Sequence, residues 1–176
     1  MKKNLVAIIV FAFAMLFSNE TTAQKFPPMD KSPMDVASFP DDYKVSDKIA
    51  KVIYSRPQLK GRSLESLAPS GKVWRTGANE ATVITFYKDV NFGGKSVKAG
   101  TYTLFTIPSA NEWTVILSTA SNVWGSYFYK ESEDVVRVKG KVTNNSTSQE
   151  EFSMMFDKDM NLLMGWGNVV VTVNIK

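Results

Sequence analysis

The residues best equipped for chemistry crowd between Arg56 and Glu80. At its far end, Lys72-Val73-Trp74-Arg75-Thr76-Gly77-Ala78-Asn79-Glu80-Ala81 sets an indole, a guanidinium, an amide and a carboxylate beside one permissive glycine. The wider segment carries Arg56, Lys60, Arg62, Lys72 and Arg75 against only Glu65 and Glu80. If loops gather Arg56, Lys60, Arg62, Trp74, Arg75, Asn79 and Glu80, they form an anion pocket. Guanidinium forks match carboxylate or phosphate oxygens, and an indole offers a stacking wall. The same residues also fit a plainer role, with the arginines pairing Glu80, Asp41, Asp42 or loop carbonyls and Trp74 in the core. For acid-base work the candidate is Glu80. Glycoside hydrolysis would require a second carboxylate across a cleft, for which Glu112, Asp134 and Asp89 are the possible partners.

Much chemistry is excluded by what is missing. The chain has no histidine and no cysteine, which removes the usual base of serine hydrolases, the commonest zinc ligand, thiol catalysis and iron-sulfur ligation. No phosphate loop is present. Gly165-Trp166-Gly167-Asn168-Val169-Val170 fails the dinucleotide pattern at its last glycine and lies between strands, so no cofactor is expected. Asp157-Lys158-Asp159-Met160-Asn161 begins like a calcium loop, but Leu162 and Asn168 stand where glycine and glutamate belong. It reads as a turn, and no metal site is expected. Trp113, Trp124, Tyr127 and Tyr129 could line a sugar or peptide platform, or could serve as core and corner packing.

These groups need a scaffold, and the chain supplies strands. The 176 residues are 44% hydrophobic and 22% charged, as in one globular domain. Residues 1–23 read as a signal peptide. Lys2 and Lys3 precede an apolar run from Leu5 to Phe17, and Thr21-Thr22-Ala23 offers a cleavage site. That run is shorter than the roughly 20 residues a membrane span needs. With no cysteine to carry lipid, the mature protein is expected to be periplasmic or secreted, without a membrane span. Removing residues 1–23 leaves 19 basic against 16 acidic residues, a net charge of +3. Nucleic acid is not an expected partner at so small a bias.

Residues 24–44 hold Pro27, Pro28, Pro33 and Pro40, so an extended arm without helix or ladder is predicted. Residues 45–176 alternate in the manner of about nine short strands. They run from Val45–Ser55 through Thr82–Tyr87, a hairpin at Asn91-Phe92-Gly93-Gly94-Lys95, Thr101–Ile107 and Trp113–Ser118. Val135–Val142, Phe152–Phe156, Leu162–Trp166 and Val169–Ile175 complete them. The predicted fold is all-β, a single antiparallel β-sandwich with jelly-roll-like and immunoglobulin-like orders both open.

The chain resembles a bacterial family of exported proteins, the domain of unknown function 2911. The likeness rests on Lys31-Ser32-Pro33-Met34-Asp35, Tyr54-Ser55-Arg56-Pro57, Lys60-Gly61-Arg62 and Gly71-Lys72-Val73-Trp74-Arg75 with Gly77-Ala78-Asn79-Glu80-Ala81-Thr82. Ala99-Gly100-Thr101-Tyr102, Ile107-Pro108, Trp124-Gly125 and Asp134-Val135-Val136-Arg137-Val138 extend it. The resemblance implies export and β architecture and transfers no activity. The functional expectation is therefore a non-catalytic envelope protein binding a small anionic or amphipathic ligand, or a partner segment, at the basic, tryptophan-containing loops. The alternatives are a carboxylate-dependent hydrolase of envelope glycans using Glu80, and an assembly protein offering a sheet edge or its arm.

Overall fold

A computed structural model describes residues 23–176; of the expected signal peptide, residues 1–22 lie outside the described residues. Among the described residues nine strands form, in chain order β1 (Met34–Phe39), β2 (Ala50–Ser55), β3 (Thr82–Phe86), β4 (Val90–Phe92) and β5 (Lys95–Val97), then β6 (Gly100–Ile107), β7 (Glu112–Ser118), β8 (Asp134–Phe156) and β9 (Leu162–Val173). One helical turn, α1 (Leu64–Leu67), is capped by the Ser63 hydroxyl, which accepts from the Ser66 amide. A 3-10 turn at Glu131–Glu133 leads into β8.

The all-β expectation holds. Seven strands form one antiparallel sheet in the order β1-β2-β3-β6-β7-β8-β9, a next-neighbour meander, and β4-β5 form a separate hairpin. The sheet makes its own second layer by curling. β8 and β9 are long, and their register shifts between Asn144 and Gln149 and again before Ser153, so the hairpin bends there. Its first half continues the sheet beside β7. Its second half crosses back over β2, where the Tyr54 hydroxyl donates to the Met154 carbonyl (3.2 Å) and Tyr54 meets Phe152 edge-on.

The space enclosed is filled by inward side chains at alternate positions, including Val52, Ile84, Leu104, Val115, Leu117, Leu162 and Met164, all essentially without solvent access. Each such side chain contributes about 1.5–3 kcal/mol on burial. A smaller apolar cluster lies apart from this core, where Ala81, Phe105 and Ile116 are covered by Val73, Ile107, Val123 and Tyr129. That cluster holds the 119–133 loop to the sheet.

The arm requires a correction. Residues 34–39 pair with β2 along their length, from Met34 opposite Ser55 to Phe39 opposite Ala50. Pro33 and Pro40 bracket the strand without entering it, so no ladder amide is lost. Among the described residues no helix is long and apolar enough to cross a membrane.

Candidate functional site

The 73–82 loop is built by a two-residue bridge and a string of hydroxyls. Trp74 and Thr106 exchange backbone hydrogen bonds of 2.7 and 2.9 Å. The buried Thr76 hydroxyl bonds to Thr106 Oγ1 (3.1 Å), and Thr82 Oγ1 donates to the Thr76 carbonyl (2.6 Å). Gly77 fits where a Cβ would stand 3.2 Å from the Ser55 carbonyl oxygen. The loop is thereby pinned to β2 and β6.

Extended backbone sends neighbouring side chains to opposite sides, and here this separates Trp74 from Arg75. Trp74 turns inward, stacks on Trp166 and meets Trp113 and Phe152 edge-on. At 6% exposure it is core, which corrects the expectation of a stacking wall. Arg75 turns outward toward residues 119–133, a loop rich in aromatics (Trp124, Tyr127, Phe128 and Tyr129).

That loop is stitched to the 73–81 segment. The Ala81 amide donates to Val123 O and the Gly125 amide to Asn79 O, both at 2.9 Å, while Ser126 Oγ donates to Val73 O at 3.0 Å. Glu80 bridges Trp124. Gly125 has φ of 69°, and a Cβ there would lie 3.3 Å from Arg75 Nη1 and 2.6 Å from the Tyr127 ring. Guanidinium and ring therefore flank one glycine. Trp124, Tyr127 and Phe128 are 57%, 77% and 76% exposed, so three large aromatics of this loop face solvent, with the Tyr127 ring across Gly125 from Arg75.

Arg75 also differs from the other arginines in its bonding. Its Nε donates to Gly77 O (3.2 Å), and its terminal nitrogens meet no acceptor among the described residues. Arg56 is spent on structure. It pairs with Asp35 (3.0 Å) and Glu151 (3.3 Å) and donates to Phe152 O and Ser153 Oγ. Arg62 donates to Leu59 O and Gln58 O within its own loop. Lys60 is exposed, and its amide donates to Glu150 Oε1. The seven expected residues thus divide: Arg56 and Lys60 lie against the 150–153 stretch of β8, Arg62 folds back on its own loop, Trp74 fills the core, and Arg75, Asn79 and Glu80 meet the aromatic loop.

Of the carboxylates considered as partners for Glu80, Asp89 is held by Lys98 (2.7 Å). Asp134 takes part in a compact network in which the Tyr129 hydroxyl donates to Asp134 Oδ2 (2.6 Å). Arg137 donates to both residues. Burial first, then the bond to Asp134, pushes the Tyr129 phenol up to about 12. The network anchors the aromatic loop to β8. The Asp157 carboxylate is occupied by its own turn, accepting from the Asp159 and Asn161 amides and from Asn161 Nδ2.

The aromatic quartet divides as well. Trp113 is core and Tyr129 packs edge-on against Phe105, whereas Trp124 and Tyr127 form a surface. Phe128, from the same loop and exposed as well, joins them. Its signal was the irregular run from Asn122 to Tyr129, too rich in aromatics for an ordinary polar loop and periodic as neither helix nor strand.

Fold and site define a histidine-free, cysteine-free antiparallel β protein in which Arg75, with neither terminal nitrogen bonded among the described residues, sits beside a solvent-facing aromatic loop. Residues 32–175 match the family described as "Protein of unknown function (DUF2911)", and the chain belongs to that family. No curated protein and no solved structure matches it.

Proposed function

We propose that the protein is an exported, non-catalytic binding protein of the cell envelope whose ligand is small, anionic and amphipathic. The ligand's acidic group takes the outer edge of Arg75, with Asn79 and Glu80 beside it, and its apolar part lies on Trp124 and Tyr127. The observation that carries this reading is the Arg75 guanidinium, whose terminal nitrogens find no acceptor among the described residues. A fork of that kind binds carboxylate or phosphate oxygens in pairs. Address follows from residues 1–23 as a leader, so the mature chain should begin at Gln24.

Native mass spectrometry of the full chain, purified from the periplasm of the cell that makes it, tests both parts. The expected result is a mature mass beginning at Gln24 plus a bound molecule that Arg75→Ala loses. A protein carrying nothing, or one that keeps its molecule in Arg75→Ala, would overturn the binding reading.

A second reading is favoured by β1, an edge strand whose Met34 and Val36 are 61% and 55% exposed. An open edge can pair with another chain. Light scattering would show an assembly that Val36→Lys disperses; a monomer at all concentrations removes this reading.

A further inference from the structure

The β4-β5 hairpin leaves the large sheet and is set down against β8. It is fixed at several points. Asn91 and Lys176 exchange backbone bonds of 2.6 and 2.9 Å, the Gly93 amide donates to Asn174 O (2.8 Å), and Phe92 is fully buried. Gly93 has φ of 56°, and a Cβ there would approach Val138 to 2.7 Å, so the turn lies directly on β8. Hairpin and sheet enclose an open cleft of about 530 Å³ lined by Gly93, Lys95, Thr114, Arg137, Val138 and Lys139.

Three of those six residues are cationic and none is acidic. Arg137 is held by Asp134 and Glu131, which makes it a fixed wall. Lys139 donates to Thr114 Oγ1 (3.1 Å), which aims its ammonium along the cleft and leaves two of its three donors for a ligand. Neither Lys95 nor Lys139 has an acidic partner among the described residues. A second cleft of about 360 Å³ shares Thr114 and Lys139 and adds Ser70, Ser109, Asn111 and Glu112. Its hydroxyl, amide and carboxylate groups offer both donors and acceptors.

We propose that this double cleft binds a polyol phosphate, the phosphate between Lys95 and Lys139 and the polyol hydroxyls running toward Ser109, Asn111 and Glu112. Two ammonium groups meet the charge of a phosphate as point partners. The mixed polar lining of the second cleft suits hydroxyls better than it suits a second acid, because Glu112 would repel one. The site uses none of the residues around Arg75, so it stands or falls separately from the function proposed above.

The polyol phosphate could be free in solution or be a lipid headgroup, and two arms distinguish these. In the first, the full mature chain is titrated with glycerol phosphate and its backbone amides are followed by NMR. In the second, it is sedimented with phosphatidylglycerol vesicles. Saturable shifts at Gly93, Lys95, Thr114 and Lys139, weakened at least about tenfold in Lys95→Ala/Lys139→Ala and unchanged in Arg75→Ala, are the expected result. Vesicle binding lost in the same double variant, without response to free glycerol phosphate, assigns the lipid source and also supports the site. Failure of both probes, shifts confined to the Arg75 loop, or full binding by the double variant would overturn it. Both lysines are exposed, so their removal leaves the fold intact.

Discussion

Trp74 lies flat on Trp166, ring centroids 5.4 Å apart and planes 15° from parallel. Phe152 closes one side of the pair edge-on, 5.1 Å from Trp74 and 5.9 Å from Trp166. The loop that carries Arg75 is therefore anchored through the interior. Trp74→Ala should cost about 3–5 kcal/mol, the range for removing a buried aromatic. Urea unfolding followed by circular dichroism measures it, and a loss under about 1 kcal/mol would mean the cluster does not hold the two layers together.

The Arg56–Asp35 pair ties the edge strand β1 to the second half of β8. Both side chains are partly exposed, at 30% and 39%, so solvent screening limits their coupling to about 0.5–1 kcal/mol. A double-mutant cycle with Arg56→Ala and Asp35→Ala reads that term. Arg56→Ala alone should cost more, because the Phe152 carbonyl and Ser153 hydroxyl lose a donor as well.

Tyr129 sets an alkaline limit. Its phenol stays protonated up to about 12, against 10.0 for an unperturbed tyrosine. Below the ordinary value folded and unfolded chains are both protonated, so its contribution is fully present. Between 10.0 and about 12 the unfolded chain gives up its proton first, and stability falls as pH rises through that window. Melting temperatures of wild type and Tyr129→Phe across this range should converge as pH rises. Parallel curves would remove Tyr129 from the account.

Asp157 acts at the acid end. The Asn161 side-chain amide, followed by the Asn161 and Asp159 backbone amides, holds its carboxyl below the usual value. The stability it confers is present above the ordinary carboxylate value and is lost as pH falls through the lowered one. Asp157→Ala should flatten that acid slope in thermal melts. Added calcium should not shift the wild-type melting temperature, since the acceptors are already filled by the turn.

Gly125 keeps Tyr127 and Arg75 apart. Gly125→Ala strains a positive φ and drives a methyl into the Tyr127 ring, at a cost of about 1 kcal/mol. Because the ring is exposed it can swing away, so the larger effect should be on the Arg75 surface. Native mass spectra of this variant should show less of any bound molecule than wild type.

Local patterns in the sequence identified most strands, because β-branched alternation and glycine or proline breaks are local signals. β1 escapes a local reading because four prolines in twenty-one residues argue against a ladder, although Pro33 and Pro40 merely mark its ends. Val135–Val142 and Phe152–Phe156 read as two strands, yet they are the ends of one bent β8. A bend whose polar stretch still pairs leaves no local trace. For the site, Arg75, Asn79 and Glu80 were found from residue type and remain together. Trp74 and Arg56 part from them because spacing alone does not reveal which loop residues adopt extended backbone, or that Asp35 and Glu151 arrive from distant strands.

A single uninterrupted strand, β8, belongs to the sheet at one end and to its overlying layer at the other. Neither half of the molecule can come apart without pulling on the same backbone. Melting should accordingly be one all-or-none event by calorimetry, and a cut within residues 145–149 should loosen the coupling of the two layers and broaden that transition.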